Sequence, residues 1–176
     1  MITTEKASGA GNQQERLSIE SIPVTLGNFL SGFAMGEGSF MIVCRRRVDY
    51  KRHWKLSAAF NVSQQDNEPL YLFQRTLQCG SLRKAGNNGW YYEVNNLVDL
   101  STKIIPFFDQ FPLVGTKHQE FIRFKKVVNI LSQAVINDID YLNILSFREQ
   151  MNRGGKRKYS KERILRDYTP NLSVTN

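Results

Sequence analysis

The chain has few cysteines for disulfide bonds and no long apolar segment that could span a membrane. It contains two cysteines among 176 residues, Cys44 and Cys79, too few for the disulfide framework of a secreted domain. No run of about 18 apolar residues occurs, so no membrane-spanning helix is expected. We therefore predict an intracellular protein, in a bacterial or archaeal cytoplasm or in an organelle, that is neither secreted nor bound to a membrane.

Histidine is equally scarce. His53 and His118 are the two copies, and neither has companion ligands nearby in the sequence. This scarcity argues against a zinc site and against a nucleophilic centre activated by histidine. A glycine-rich loop of the kind that binds nucleoside triphosphates is also missing.

Acidic residues are outnumbered, with 16 Asp and Glu against 24 Lys and Arg and a net charge of +8. The excess is concentrated in two clusters. The first contains Arg45, Arg46, Arg47, Lys51, Arg52 and Lys55, and the second contains Arg153, Lys156, Arg157, Lys158, Lys161, Arg163 and Arg166. Local excess of this kind favours polyphosphate binding, because each neutralised phosphate releases condensed counterions. Taken alone, each cluster could also be a solvated surface.

Hydrophobic periodicity predicts helices and paired strands. Helices are predicted at about 25–36, 67–77, 98–107, 117–133 and 138–151, and strands at 40–48, 53–64, 81–84 and 90–95. Thr25 is the predicted amino cap of the first helix. Because the strands come as hairpins, we predict an α+β fold in which a four-stranded antiparallel sheet of two hairpins is backed by helices, in αββαββα order. Residues 1–22 are predicted to be a flexible leader, 23–151 the folded domain and 152–176 a basic C-terminal segment.

The most informative segment runs from Leu30 to Phe40 and reads Leu-Ser-Gly-Phe-Ala-Met-Gly-Glu-Gly-Ser-Phe. Gly32 and Gly36 lie one helical turn apart on the same face, where small residues let two helix backbones approach closely. Glu37 follows at the carboxyl end of the helix, where the macrodipole is already negative. A carboxylate at that position is poorly placed unless a cation meets it. The segment occurs once in the chain.

This segment resembles the signature of the LAGLIDADG homing endonucleases, whose helix carries small residues at a dimer contact and ends in an acidic residue followed by glycine. The order of elements over residues 26–150 is also similar to that family. The resemblance implies that one copy of the motif supplies half an active site. It therefore implies a two-fold homodimer, packed through the helix face that carries Gly32 and Gly36.

By the same resemblance, Glu37 corresponds to the family's metal-binding carboxylate and the Gly36 carbonyl to a further ligand. Two carboxylates meeting across a two-fold axis would repel each other, and bound divalent cations remove that conflict. Mg²⁺, or Mn²⁺ in its place, suits oxygen ligands of this kind. Met35 stands where the family often has a further acidic residue, and we expect it to pack in the core.

Two more residues correspond to the family's active site. Gln64 matches a polar residue that positions the attacking water, with Gln65 as a competitor that strand register must separate from it. Lys117, which opens the long helix, matches the family's lysine near the active site. A cation there would offset charge on the transferring phosphate.

The polar face of the sheet is the predicted surface for double-stranded DNA, since a two-stranded ribbon fits the major groove. Strand alternation assigns thirteen residues to this face: Ser39, Met41, Val43, Arg45, Arg47, Lys55, Ser57, Asn61, Ser81, Arg83, Tyr91, Glu93 and Asn95. Lys51 and Arg52, at the tip of the first hairpin, are predicted to grip phosphate groups instead of bases.

The resemblance thus predicts a site-specific homing endonuclease of a mobile intron. It would break both strands of a long, partly palindromic DNA target by metal-dependent phosphodiester hydrolysis. Two alternatives use the same fold: a splicing factor that binds intron RNA, and a DNA-binding regulator that has lost cleavage.

Overall fold

The computed structural model describes residues 18–50, 52–86, 89–151 and 157–167. The first half of the domain contains α1 (Val24–Glu37), β1 (Gly38–Arg46), β2 (Trp54–Gln64), α2 (Glu68–Leu77), β3 (Ser81–Lys84) and β4 (Trp90–Val94). The second half contains α3 (Leu97–Asp99), a π-helical turn (Leu100–Ile104), α4 (Ile105–Gln110), α5 (Gly115–Leu131), α6 (Asp138–Glu149) and α7 (Lys161–Arg166). None of the helices in these ranges is long and apolar enough to cross a membrane.

The four strands form one antiparallel sheet in the order β1-β2-β4-β3. Strand β2 is central, and its residue Phe60 pairs with Phe40 of β1 on one side and with Val94 of β4 on the other. The predicted α+β architecture of two hairpins backed by helices is therefore confirmed. Strands β1 and β3 form the two edges of the sheet.

One face of the sheet supplies the core. Alternate residues along β1 are buried, as a period-two strand with one apolar face requires. In β2, Ala58, Phe60 and Val62 are buried on the same face, and Ala59 is buried on the opposite face. The Phe40 ring lies at the centre, 5.2 Å from Phe60, 5.6 Å from Phe121 and 5.0 Å from Phe124 between ring centroids. Aromatic pairs at these distances contribute about 0.5–1.5 kcal/mol each beyond their buried area. The packing of α5 onto β1 therefore fixes the start of the sheet firmly.

Helix α1 differs from prediction at its beginning. It starts at Val24, with Pro23 in the capping position, and Thr25 lies inside its first turn. The prediction of Thr25 as the cap is therefore wrong. A proline with φ near −54° is compatible with a helix start, where its missing N–H costs no hydrogen bond.

Helix α1 passes very close to the end of α4. The buried Ser31 hydroxyl donates a hydrogen bond of 2.9 Å to the Phe111 carbonyl. A Cβ placed on Gly27 would lie 2.3 Å from the Phe111 ring. At its other end, α1 runs into β1 without a loop, and a Cβ on Gly38 would lie 2.5 Å from the Ala34 carbonyl oxygen. Glycine is therefore needed at both ends of α1.

The connections differ from the sequence-based prediction in two places. The strands of the first hairpin are shorter, so the loop runs from Arg47 to His53 and not from Asp49 to Arg52. The helix predicted at 98–107 extends to Gln110, past Pro106. A π-helical turn precedes Pro106 and widens the helix at that point, which accommodates a residue that has no N–H.

A helix near the carboxyl end was not predicted. Within the predicted basic C-terminal segment, residues 161–166 form α7. Its first turn is capped by the Ser160 hydroxyl, which accepts the Arg163 N–H at 3.2 Å. Ile164 is buried in a second core cluster together with Cys44, Trp54, Tyr141 and Leu145. At the other end of the chain, Ile22 is buried in the main core, within the predicted leader. Residues 1–17 and the ends of the predicted tail lie outside the described ranges.

Replacing Gly27 by alanine should destabilise the protein by about 1–3 kcal/mol, because the Phe111 ring or α1 must move to admit the methyl group. Gly86→Ala is the matched control. It restricts the unfolded chain in the same way, while its Cβ meets no described atom within 4 Å. Urea unfolding should give a lower midpoint for Gly27→Ala only. Equal midpoints for the two variants would contradict the close approach of α1 and Phe111.

Candidate active site and nucleic-acid interface

Glu37 lies at the junction of α1 and β1, as the last residue of the helix. Its side chain is exposed. Among the described residues, no group donates a hydrogen bond to its carboxylate and no Lys or Arg nitrogen lies within 4 Å of it. The negative end of the α1 dipole adds to this charge. The junction therefore presents an uncompensated acidic group to solvent.

Lys117 is held next to this junction. Its ammonium group donates a hydrogen bond of 2.8 Å to the Gly38 carbonyl and lies 3.5 Å from the buried Glu120 carboxylate. Helix α5 places it there because the chain turns into the helix at Gly115, whose φ of +60° favours glycine. The structure therefore brings the Lys117 ammonium into contact with Gly38, the residue that follows Glu37. Sequence reasoning did not identify Glu120, which is visible in the sequence only as an acid three residues after Lys117.

Gln64 is the last residue of β2, and Gln65 lies in the bend that follows. Gly38 pairs with Val62, so Gln64 lies two residues, roughly 7 Å, beyond the junction along the strand. Its side-chain oxygen accepts the Gln65 backbone N–H at 2.8 Å. The register puts Gln64 on the Val62 side of the sheet, and its role in positioning water stays a prediction.

The face of α1 that carries the two glycines is exposed. A Cβ placed on Gly32 or Gly36 meets no described atom within 4 Å. Phe29 is 49% exposed and Met35 37% exposed beside them. The expectation that Met35 packs in the core is therefore wrong, since it lies on the outer face of the helix. The described residues of the chain therefore leave uncovered an apolar helix face with small residues at one-turn spacing.

The donor set at the junction fits a hard divalent cation but does not complete a site. The described residues contain no group of three or more His, Cys, Asp or Glu side chains that could hold a metal ion. Glu37 offers carboxylate oxygens, and Gly36 lies in the last helical turn, where carbonyls lack intrahelical donors. Oxygen ligands of this type suit Mg²⁺ or Mn²⁺, with water and phosphate oxygens completing the shell.

The residues predicted to face DNA share one face of the sheet. The register pairs Ser39 with Asn61, and Asn61 with Glu93, on the side opposite the buried Phe40 and Phe60. Further pairs on this face are Met41 with Ala59, Val43 with Ser57, Arg45 with Lys55, Ser81 with Glu93, Arg83 with Tyr91, and Ser63 with Tyr91. Ser63 was not predicted as a contact, although strand alternation alone places it on this face.

A shallow cavity of about 190 Å³ opens on this face. It is lined by Val43, Arg45, Arg47, Lys55, Ser57, Glu93 and Asn95, among others. Arg47 and Asn95, which lie just beyond the strands, therefore belong to the same surface as the strand residues. Arg83 is tied to Glu93 by an ion pair of 2.8 Å, so its guanidinium is oriented across the face.

The tip of the first hairpin is engaged within the protein. The Arg52 guanidinium donates hydrogen bonds of 2.8 Å to the Ile136 carbonyl and to Asp138, and it lies 5.0 Å from the Tyr141 ring. These contacts dock the hairpin against α6, in place of the free phosphate contact that was predicted for Arg52. Lys51 lies outside the described residues.

Known proteins share this architecture. The sequence profile described as LAGLIDADG endonuclease matches residues 30–128. In solved structures, I-SmaMI bound to its uncleaved DNA target in the presence of calcium ions superposes with a TM-score of 0.70 and 26% identity. That superposition covers 86% of this chain and 52% of I-SmaMI. The fold is thus that of the homing endonucleases, and the chain belongs to the LAGLIDADG endonuclease family.

Individual relatives point the same way. A probable intron-encoded endonuclease, Cox1-I1b of Schizosaccharomyces pombe, is 34% identical over 113 residues, which are 64% of this chain and 29% of that protein. DNA endonuclease I-CeuI of Chlamydomonas moewusii is 28% identical over 134 residues, 71% of this chain and 62% of that protein. The chain therefore spans less than a third of the length of the Schizosaccharomyces relative.

The pair formed by Arg47 and Asp49 should be visible in a pH titration. The Arg47 guanidinium donates to both Asp49 oxygens, at 2.8 and 2.7 Å, and this lowers the pKa of the Asp49 carboxyl to about 2. The pair is therefore intact above that pH and is lost as pH falls through it. Carboxyl NMR should show the Asp49 pKa rising toward about 3.9 in Arg47→Ala.

Lys84→Ala, which removes a basic residue from the other hairpin, is the control and should leave the Asp49 pKa unchanged. An Asp49 carboxyl with an ordinary pKa in the unaltered protein would contradict the bidentate pair.

Proposed function

We propose that this protein is a site-specific DNA endonuclease that acts as a two-fold homodimer. The observation that carries the proposal is the α1–β1 junction. Three features meet at this junction: the uncompensated Glu37 carboxylate, the Lys117 ammonium bound to the Gly38 carbonyl, and the uncovered glycine face of α1. Among the described residues, Glu37 has no cationic partner and the glycine face of α1 has no cover, and a second copy would supply the missing groups at both.

The dimer follows from the exposed face of α1. Gly32 and Gly36 leave room for the backbone of a second helix, and Phe29 and Met35 offer apolar area beside them. A two-fold axis through this face makes the contact self-complementary and closes the assembly at two copies. It also brings the two Glu37 carboxylates to the axis, since each lies one residue after Gly36.

Two like charges at two negative helix ends require compensation. The Glu37 carboxylate and Gly36 carbonyl of each copy would hold Mg²⁺ or Mn²⁺, together with phosphate and water oxygens. Such a cation, when bound, activates water for attack and stabilises the leaving oxygen.

The chain's own groups have separate roles in hydrolysis. Lys117, fixed by the Gly38 carbonyl and by Glu120, offers a positive charge to the phosphate as negative charge builds on it. Gln64, at the neighbouring strand end, orients the attacking water through its carboxamide. Each copy would cut one strand, so the dimer breaks the duplex.

The polar sheet face is the proposed reader of the target. It carries Arg45, Asn61 and Arg83, whose side chains can make paired contacts to guanine or adenine edges in the major groove. Two copies related by a two-fold axis would read two inverted half-sites, so the target is long and partly palindromic. Because relatives are described as probable intron-encoded endonucleases, we propose an intron insertion site as the target, in the compartment that holds that DNA.

Glu37→Gln should abolish cleavage and leave DNA binding within a few-fold, because it removes the charged ligand and keeps the side-chain shape. Glu20→Gln changes an exposed glutamate four residues before the start of α1. It is the matched control and should cut normally. The measurement uses supercoiled plasmids selected from a target library, incubated with Mg²⁺ or Mn²⁺, with binding followed in parallel by fluorescence anisotropy.

Full cleavage activity in Glu37→Gln would show that the Glu37 carboxylate is not a required metal ligand. Tight binding by the unaltered protein without cutting in either metal would favour the DNA-binding regulator. A preference for intron RNA over duplex DNA at matched salt would favour the splicing factor.

A further inference from the structure

A basic groove borders the free edge of the sheet. Among the described strands, β1 pairs with β2 alone, and beyond its other edge lies a groove of about 540 Å³. One wall is β1 itself, from Met41 to Arg46. The other is the end of α6 together with residues 157–159, which we name the C-terminal strap. The family profile ends at residue 128, so the second wall lies outside the matched part of the chain.

The C-terminal strap is fixed by hydrogen bonds. The mostly buried Arg148 guanidinium donates to the Tyr159 carbonyl at 2.9 Å. The Arg157 guanidinium donates to the Met151 carbonyl at 2.8 Å and to the Arg148 carbonyl. The Tyr159 ring packs edge-on against Trp54 at 4.8 Å between centroids. The groove is thus built into the fold and has a defined shape.

The groove is strongly positive. Its basic lining residues are Arg45, Arg46, Arg148, Arg157 and Lys158. Glu149 pairs with Arg148 at 3.2 Å and with Arg157 at 3.3 Å, so those two charges are partly offset. In the described part of the chain, no carboxylate lies within 4 Å of a charged nitrogen of Arg45, Arg46 or Lys158. Three exposed cations therefore remain for an anionic partner.

We propose that this groove binds the phosphate backbone of the DNA duplex that flanks the segment contacted by the polar sheet face. Arg45 belongs to both surfaces, since it pairs with Lys55 on the polar face and also lines the groove. Arg46, the next residue, points to the other side of the strand. Arg46 and Lys158 both line the groove, so a duplex that runs past Arg45 and beyond the edge of β1 would reach them there.

The contact is one of charge and carries no base information, because Arg46 points away from the sheet face that would read base edges and so meets the backbone phosphates instead. This inference rests on the proposed DNA binding and adds a contact outside the family's shared core.

The test measures duplex affinity as a function of salt for the double variant Arg46→Ala with Lys158→Ala. Each lost phosphate contact should reduce the slope of log affinity against log salt by roughly 0.9, so the double variant should lose roughly 2 units of slope. The effect should appear on a selected target with long flanks. It should vanish on a duplex trimmed to the segment that the sheet contacts. Cleavage at saturating protein should not change.

Two controls accompany the measurement. Arg75→Ala removes an exposed cation from α2, on the helical side of the sheet, and should leave the slope unchanged. Alkylation of the buried Cys44, which packs with Ile164 of α7, should stay slow in every variant and so report that α7 remains in place.

An unchanged slope of log affinity against log salt in the double variant would overturn the proposed phosphate contact at the groove and leave the proposed function standing. Equal weakening on long and trimmed duplexes would also overturn it, because the two residues would then act within the read segment. Failure of the unaltered protein to bind any duplex would instead overturn the proposed function and the groove together.

Discussion

The structure depends on the direct passage from α1 into β1. Because no loop intervenes, the packing of Leu30, Ala34 and Phe40 in one core determines where Glu37 stands. Gly38 permits the tight junction, and its carbonyl is bound by Lys117 from α5. The fold thereby holds a carboxylate at the negative end of a helix, an arrangement that electrostatics alone disfavours. Packing in the core offsets this unfavourable electrostatic energy. The placement of Glu37 has a use only when a cation and a second copy are bound.

The same junction links chemistry to recognition. The polar face begins at Ser39, two residues after Glu37, and extends to Arg45, roughly 20 Å further along the strand. Glu37 and the side chains that would contact bases therefore lie on one continuous segment, the end of α1 and strand β1. In the proposed enzyme, the way the sheet lies on the duplex would set the position of cleavage. The basic groove at the edge of β1 extends the same surface outward. Its positive charges would hold the DNA backbone in the position that the strand contacts define.

The parts of the fold that could be predicted are those governed by local patterns. The alternation from Leu56 to Val62 and the turn glycines define the sheet, and the motif from Leu30 to Phe40 defines the junction. The parts that could not be predicted depend on distant contacts. Met35 was assigned to the core because apolar residues are usually buried, yet its helix face has no partner in one chain. Arg52 binds Asp138 and α7 docks on Trp54 through contacts 86 and 113 residues apart in sequence, which no local pattern shows.

The central claim is that two Glu37 side chains from two copies form one cutting site, and subunit mixing tests it most directly. Unaltered protein and Glu37→Gln protein are mixed, allowed to exchange, and assayed for double-strand breaks at constant total concentration. If both copies must be intact, an equal mixture should retain about a quarter of the activity, since random pairing leaves that share of intact dimers. Retention of about half the activity, with a linear dependence on the intact fraction, would show that one intact chain breaks both strands by itself and would contradict the account.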